Sequence, residues 1–202
     1  MLAPVAMKTH RLEPLLNPDS IAIVGASNNA ARIGGMPTAH LTKFGYQGQI
    51  YPINPKYEDV FGLRCFPDIE SLPQAPDLVV LAIAAADVLL MLQRCAAKGV
   101  RAVIVYAAGF AEEGAKGAAL QAELEAYVAT PDMVVAGPNL MGFANLNRQV
   151  HTNFASVFNT APMQAGQGSG GLLTQSGNVC AAVYAIARRL GESKFSAPHF
   201  YL

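Results

Sequence analysis

A chain of 202 residues has room for one large α/β domain, or one ordinary domain and part of another, and excludes a large multidomain enzyme. Apolar residues make up 52% and charged residues 14%, a balance that argues against intrinsic disorder and suits a sheet buried on both faces. Fourteen basic residues offset fourteen acidic ones, so no net positive field draws the chain to nucleic acid or anionic membranes, and any anion site must be local.

Residues 1–14 read as a surface lead-in: Lys8 and Arg11 follow the apolar start, the reverse of a signal peptide's charge order. Ser20 to Val24 (SIAIV) is a short β-branched strand, followed by a glycine-rich loop and a helix over Met36 to Phe44. A second strand, Gln49 to Ile53, ends at Asn54-Pro55 because proline cannot continue the ladder, and Lys56 stands at the loop's tip. Val60 to Cys65 forms a minor extension. Asp77 to Ile83 is a continuous apolar run, as in a parallel strand covered on both faces. The apolar stretch Leu78 to Leu92 is interrupted by Asp87 and falls short of the roughly 20 residues that span a bilayer. Val88, Leu89, Met91, Leu92 and Cys95 recur at helical spacing, and Lys98-Gly99 closes that helix. Val100 to Tyr106 is the next strand, Leu120, Leu124, Tyr127 and Val128 mark a helix, and Met133 to Ala136 a further strand.

This βα alternation predicts right-handed crossovers and an α/β fold with a Rossmann-like, doubly wound, mostly parallel sheet over residues 15–145. Gly137 to Pro162 breaks the rhythm with Asn, Pro and Gly, which predicts a linker over 146–167. Residues 168–202 then begin a second α/β unit. Gly171 to Gln175 is its strand, Ser176 its helix N-cap, and Val179, Val183, Ile186 and Leu190 one apolar face ending at Gly191. So short a unit cannot bury both its faces and must lean on the first domain or on another chain.

The loop from Gly25 to Gly35 follows the first strand, where backbone N–H groups and a helix N-terminus would face a phosphate. It is neither GxGxxG, since Ser27 and Ala30 stand where glycines would be, nor a Walker loop. A dinucleotide site of the NAD type places Asp or Glu about 20 residues further on. Here Asn54-Pro55-Lys56 occupies that place, and a lysine suits a phosphorylated ribose: the 2′-phosphate of NADP or the 3′-phosphate of coenzyme A. A plain surface turn with a solvated lysine would read the same way. Cys65, Cys95 and Cys180 are odd in number and lack CxxC spacing, so neither a disulfide framework nor a zinc site is indicated, and a reducing cytoplasm fits.

Five segments in order, SIAIVGAS, YPINPKY, AAGF (Ala107 to Phe110), GPNLMG (Gly137 to Gly142) and LLTQSGNV, together resemble the NDP-forming acyl-CoA synthetases, or acid–thiol ligases. In that family the CoA-binding domain is similar to the succinyl-CoA synthetase α subunit and precedes a flavodoxin-like domain. The resemblance covers about Leu15 to Lys194. It implies that Gly25, Ala26, Ser27 and Gly34 hold CoA phosphates, with Asn54 and Lys56 at the adenosine-phosphate end. Ile83 and Ala84 would border the pantetheine arm, and Asn139 the thioester end. Ser176 and Gly177 match the helix start that receives a phosphorylated histidine; an ordinary N-cap serine looks identical. Ala84 replaces the family's proline, and Leu140 its cysteine.

The phosphoacceptor histidine implied by the resemblance lies beyond the matched stretch. His10, His40, His151 and His199 lack its glycine-rich context and read as surface or structural residues. The expectation is a CoA-binding portion of a ligase, not catalytic alone, with coenzyme A as cofactor, no metal, a nucleotide-grasp domain or subunit as partner, and self-association through the apolar face of Val179, Val183 and Ile186. An NADP-dependent oxidoreductase and a CoA-sensing regulatory module are the alternatives.

Overall fold

A computed structural model describes residues 10–129, 132–159, 171–189 and 199–201. A short helix α1 (Glu13–Leu16) leads into β1 (Ser20–Val24), α2 (Met36–Lys43) and β2 (Gln49–Ile53). A small antiparallel hairpin, β3 (Asp59–Val60) and β4 (Leu63–Arg64), precedes β5 (Leu78–Leu81), α3 (Ala85–Lys98), β6 (Ala102–Val105), α4 (Ala115–Val128) and β7 (Val134–Ala136). The five long strands form one parallel sheet in the order β2-β1-β5-β6-β7. The chain therefore leaves β1 toward β2 and returns to its other side at β5, so the order reverses between β1 and β5.

Side-chain alternation explains why this sheet is covered twice. Ala22, Val24, Val79, Leu81, Val103 and Val105 face α3 and α4, where Val88, Leu92, Cys95 and Leu124 meet them. Ile21, Ile23, Leu78, Val80, Ala102 and Ile104 face the other way, onto Leu15, Leu41, Tyr46, Phe143 and Val150. Gly99 ends α3 in the left-handed conformation. At the N-terminal ends of the strands Asp77 pins β1 to β5. Its Oδ2 accepts from the amides of Asp19 and Ser20 at 3.1 Å and from Ser20 Oγ at 3.0 Å, while Ser20 Oγ accepts the Asp77 amide at 2.9 Å. Arg101 donates to the other oxygen at 3.1 Å.

The stretch expected to be a linker, 146–167, is described over 146–159, where it is structured, with Val150 to Asn153 buried. β8 (Gly142–Asn145) and β9 (Val150–Asn153) make an antiparallel hairpin, and a 3-10 turn follows over Ser156–Asn159. The last unit joins this hairpin in a second sheet, separate from the five-stranded one. β10 (Gly171–Leu173), α5 (Gly177–Arg189) and β11 (His199–Tyr201) are a parallel strand–helix–strand unit, and β11 pairs antiparallel with β8 in the order β10-β11-β8-β9. The expected apolar face of α5 is rotated. Val179 and Ile186 are 53% and 55% exposed, whereas Cys180 and Tyr184 are fully buried against Phe44, Phe158, Ala144 and Leu146, with Val183 packed beside them. Leu190 lies outside the described residues. The three cysteines are free and buried. Among the described residues no helix is long and apolar enough to cross a membrane.

Candidate functional site

Every residue expected at the cofactor site of the first unit lies past the C-terminal end of a parallel strand, on one edge of the sheet. β1 runs into Gly25, whose amide donates to Ile53 O at 3.0 Å with φ +84°. A Cβ at Gly25 would collide with the carbonyl of Ala82, and one at Gly34 with the carbonyl of Gly25, so the loop folds back upon its own first residue. The Ser27 amide closes it on Gly34 O at 3.2 Å, and Ser27 Oγ accepts the Asn29 amide at 3.3 Å. Ala26 and Ser27 are buried.

Asn54 joins the first two strand ends. Its Nδ2 donates to Ala26 O at 2.7 Å, and its Oδ1 accepts the Lys56 amide at 3.0 Å, which fixes the turn that carries Lys56. The Lys56 side chain is exposed, and no ion pair holds it among the described residues. The β3–β4 hairpin is tied to the loop as well, since the Phe61 amide donates to Asn28 Oδ1 at 3.0 Å. Asn28 escaped sequence reasoning because one Asn in a polar loop carries no spacing signal.

Two helix starts face this edge, and neither α2 nor α3 has a side-chain cap on its first amides. The first turn of α2 also lacks an acidic residue, whereas α3 carries Asp87 there. At α2 the missing side-chain cap leaves the positive end of the helix dipole uncompensated, although the Gly35 and Met36 amides both donate to Arg32 O, at 2.9 and 3.0 Å, and Pro37 has no N–H. Ile83 is half-buried against the core, and Ala84 is the exposed N-cap of α3.

Beyond β6, the loop Ala107 to Phe110 forms the next wall. Its Gly109 amide donates to Glu112 Oε1 at 2.6 Å, and these loop amides hold the Glu112 carboxyl below its ordinary value. The Asn139 amide donates to Ala107 O at 2.9 Å, with Asn139 at φ +56° and exposed. Met141, two residues on, packs directly on Gly177, where a Cβ would strike its sulfur. The α5 start and the Asn139 turn are therefore neighbours. No sequence pattern announces a methionine against that glycine. Ser176 is the N-cap: its Oγ accepts the Val179 amide at 3.4 Å, and Thr174 Oγ1 accepts the Ser176 amide at 2.9 Å.

A cavity of about 500 Å³ opens at the opposite edge, lined by Asp19, Tyr46 and Arg148, and holds none of these residues. A smaller one, about 200 Å³, is lined only by apolar side chains and glycine, with Gly137, Leu140 and Leu173 at its wall. No group of three or more metal-ligating side chains occurs among the described residues. His40 and His151 are buried and His10 is exposed; the side chain of His199 is outside the described set.

Comparison with known proteins gives this geometry a context. The chain is 36% identical over 173 residues to a trans-feruloyl-CoA synthase of an unknown prokaryotic organism, covering 86% of this chain and 24% of that protein. It is 30% identical over 186 residues to the alpha subunit of acetate–CoA ligase [ADP-forming] II of Pyrococcus furiosus, covering 91% and 39%. Among solved structures, a Pyrococcus horikoshii OT3 protein superposes with a TM-score of 0.81 at 27% identity, over 94% of this chain and 41% of the other. An acetyl-coenzyme A synthetase 1 of Candidatus Korarchaeum cryptofilum, solved with phosphate and ADP, gives 0.77 at 27% identity over 94% and 39%. The chain thus spans about a quarter to two fifths of the length of these relatives. The CoA binding domain model matches residues 19–145, from the foot of β1 to the end of β8, and the chain belongs to the CoA-binding domain family.

Proposed function

We propose that this protein is the CoA-binding portion of an NDP-forming acyl-CoA synthetase. The observation that carries the reading is the convergence, inside the family match, of the Gly25–Gly35 loop, the uncapped α2 start and Lys56 on one edge of the sheet. In this reading Gly25, Ala26, Ser27, Gly34 and the positive dipole end of α2 take the diphosphate. Lys56, held out by Asn54, takes the 3′-phosphate as a charge-assisted contact. Ile83, Ala84 and the Asn139 turn line the path of the pantetheine arm.

The whole relatives' reaction, acid plus CoA plus nucleoside triphosphate giving acyl-CoA, nucleoside diphosphate and phosphate, is the activity we propose for the complete assembly. Ser176 and Gly177 would there receive a phosphoryl group carried on a histidine of another segment. Their closeness to the Asn139 turn through Met141 supports this. Nucleotide-grasp segments would be the partner, the cytoplasm the compartment, and residues 15–145 the cofactor-binding domain. The exposed Val179 and Ile186 support self-association.

Calorimetric titration with CoA, dephospho-CoA, NAD and NADP tests the cradle. CoA should bind at least tenfold more tightly than dephospho-CoA. Lys56→Ala should abolish that difference, a loss of about 1.5–3 kcal/mol, without altering stability. Binding of NADP in place of CoA would overturn the assignment and leave an oxidoreductase-type site.

A further inference from the structure

Five buried side-chain polar atoms lack a hydrogen-bond partner among the described residues, and all five lie on one seam. They are Thr38 Oγ1 and His40 Nδ1 on α2, and His151 Nδ1, His151 Nε2 and Asn153 Nδ2 on β9. Buried polar groups are nearly always paired, so a cluster of orphans marks an interface held together by something other than its polar contacts. Here that is aromatic packing. Phe44 lies 5.4 Å from the His40 ring and 4.7 Å from His151, and Phe158 lies 5.8 Å from His151 and 4.1 Å from Tyr184. His40 Nε2 meets Asn159 Oδ1 at 2.8 Å, and the Asn153 backbone on β9 also favours the charged form of His40, a contact too loose to count as a hydrogen bond for Nδ1.

The charges facing the two rings are few. Lys43, on α2 itself, acts on His40 and donates to Asn159 O at 2.7 Å; His40 acts on His151. β2, β8 and the 3-10 turn contribute no charged side chain. From α5 come Tyr184 and the Cys180 thiol, which burial pushes up to about 11 and so keeps neutral. No carboxylate acts on either imidazole. Burial outweighs the help that Asn159 and the Asn153 backbone give a protonated His40, and a proton arriving at His151 meets only burial and the neighbouring imidazole.

We propose that the α2–β9 seam is an acid-released latch: proton uptake at His40 and His151 parts β9 from α2 and separates the two segments that carry the candidate site. The loop Ser27 to Gly35 runs directly into α2, and the hairpin that ends in β9 begins three residues after Asn139. Burial lowers both imidazoles, His151 to about 3. In the parted state each returns toward the ordinary 6.5. The closed seam is thus intact above 6.5. Below it the parted state binds protons that the closed state refuses, and His151 alone raises the parted population about tenfold per pH unit.

Amide hydrogen exchange across α2 and β9, corrected for the intrinsic pH dependence of exchange, reads the latch directly. Between pH 7.5 and 5.5 protection in these two elements should fall at least tenfold, with β5 and β6 unchanged. In His40→Gln/His151→Asn the fall should vanish. Should that variant not fold, NMR titration of the wild-type imidazole C–H signals decides: while the seam is closed the His151 ring should stay neutral down to pH 5 and the His40 ring should titrate below its ordinary value. Equal loss of protection in wild type and variant, or a folded-state titration of both rings near 6.5, would overturn the proposal. A parallel CoA titration should show affinity falling with pH in wild type only. That arm alone rests on the CoA reading, and absence of CoA binding at any pH would sink that reading without touching the exchange result.

Discussion

Gly34 shows how much of the site depends on a missing side chain. Its Cα lies where any Cβ would strike the Gly25 carbonyl, so Gly34→Ala must unfold the loop's return onto β1. The expected cost is about 2–3 kcal/mol by urea denaturation, with CoA affinity lost in the same variant. This residue and Gly25 are legible from sequence, because glycine after an apolar β-branched run signals a tight turn at a strand end. Asn54 is legible by position. The way it works, one amide bridging two strand ends, is a product of tertiary proximity and is not. Met141 against Gly177 belongs to the same class of contact, since residues 36 apart in sequence meet only once the sheets are assembled.

At the scale of elements, the parallel strands are plain in the sequence because each is an unbroken apolar run. The β8–β9 hairpin is hidden because its strands read GFAN and VHTN, and Asn145, His151, Thr152 and Asn153 are all buried. Polar residues usually signal exposure, and here they misdirect the pattern toward a linker. Helix α5 misleads differently. Its apolar residues span a wide arc, so periodicity identifies the helix but not its rotation, which Phe44 and Phe158 settle by taking Cys180 and Tyr184 between them. Tyr184→Ala should therefore cost about 3–5 kcal/mol, whereas Ile186→Asp should fall within about 0.5 kcal/mol of wild type in thermal or urea unfolding. Equal destabilisation by both would place the buried face elsewhere.

For the molecule as a whole, pH separates two contributions to stability. His151, fully buried and lowered to about 3, is neutral when folded and titrates at about 6.5 when unfolded. Its contribution is present above 6.5 and is lost as pH falls toward 3, at about 1.4 kcal/mol per unit. The lowered carboxylates behave oppositely: Glu70, held down by Arg94, and Glu112 stabilise above 4.5 and lose that contribution below it. Both are exposed and contribute little. Unfolding free energies should thus drop between pH 6.5 and 5, before the carboxylates titrate, and His151→Asn should flatten that window. Asp77 anchors the molecule from the other end. Because it fixes the first residue of β1 against the residue that precedes β5, the register of this strand pair is set at the end of the sheet away from the candidate site. Substitutions at the far rim that spare Gly25, Gly34 and Asn54 should therefore alter ligand preference without shifting this strand pair, so recognition and register are divided between the two ends of the sheet.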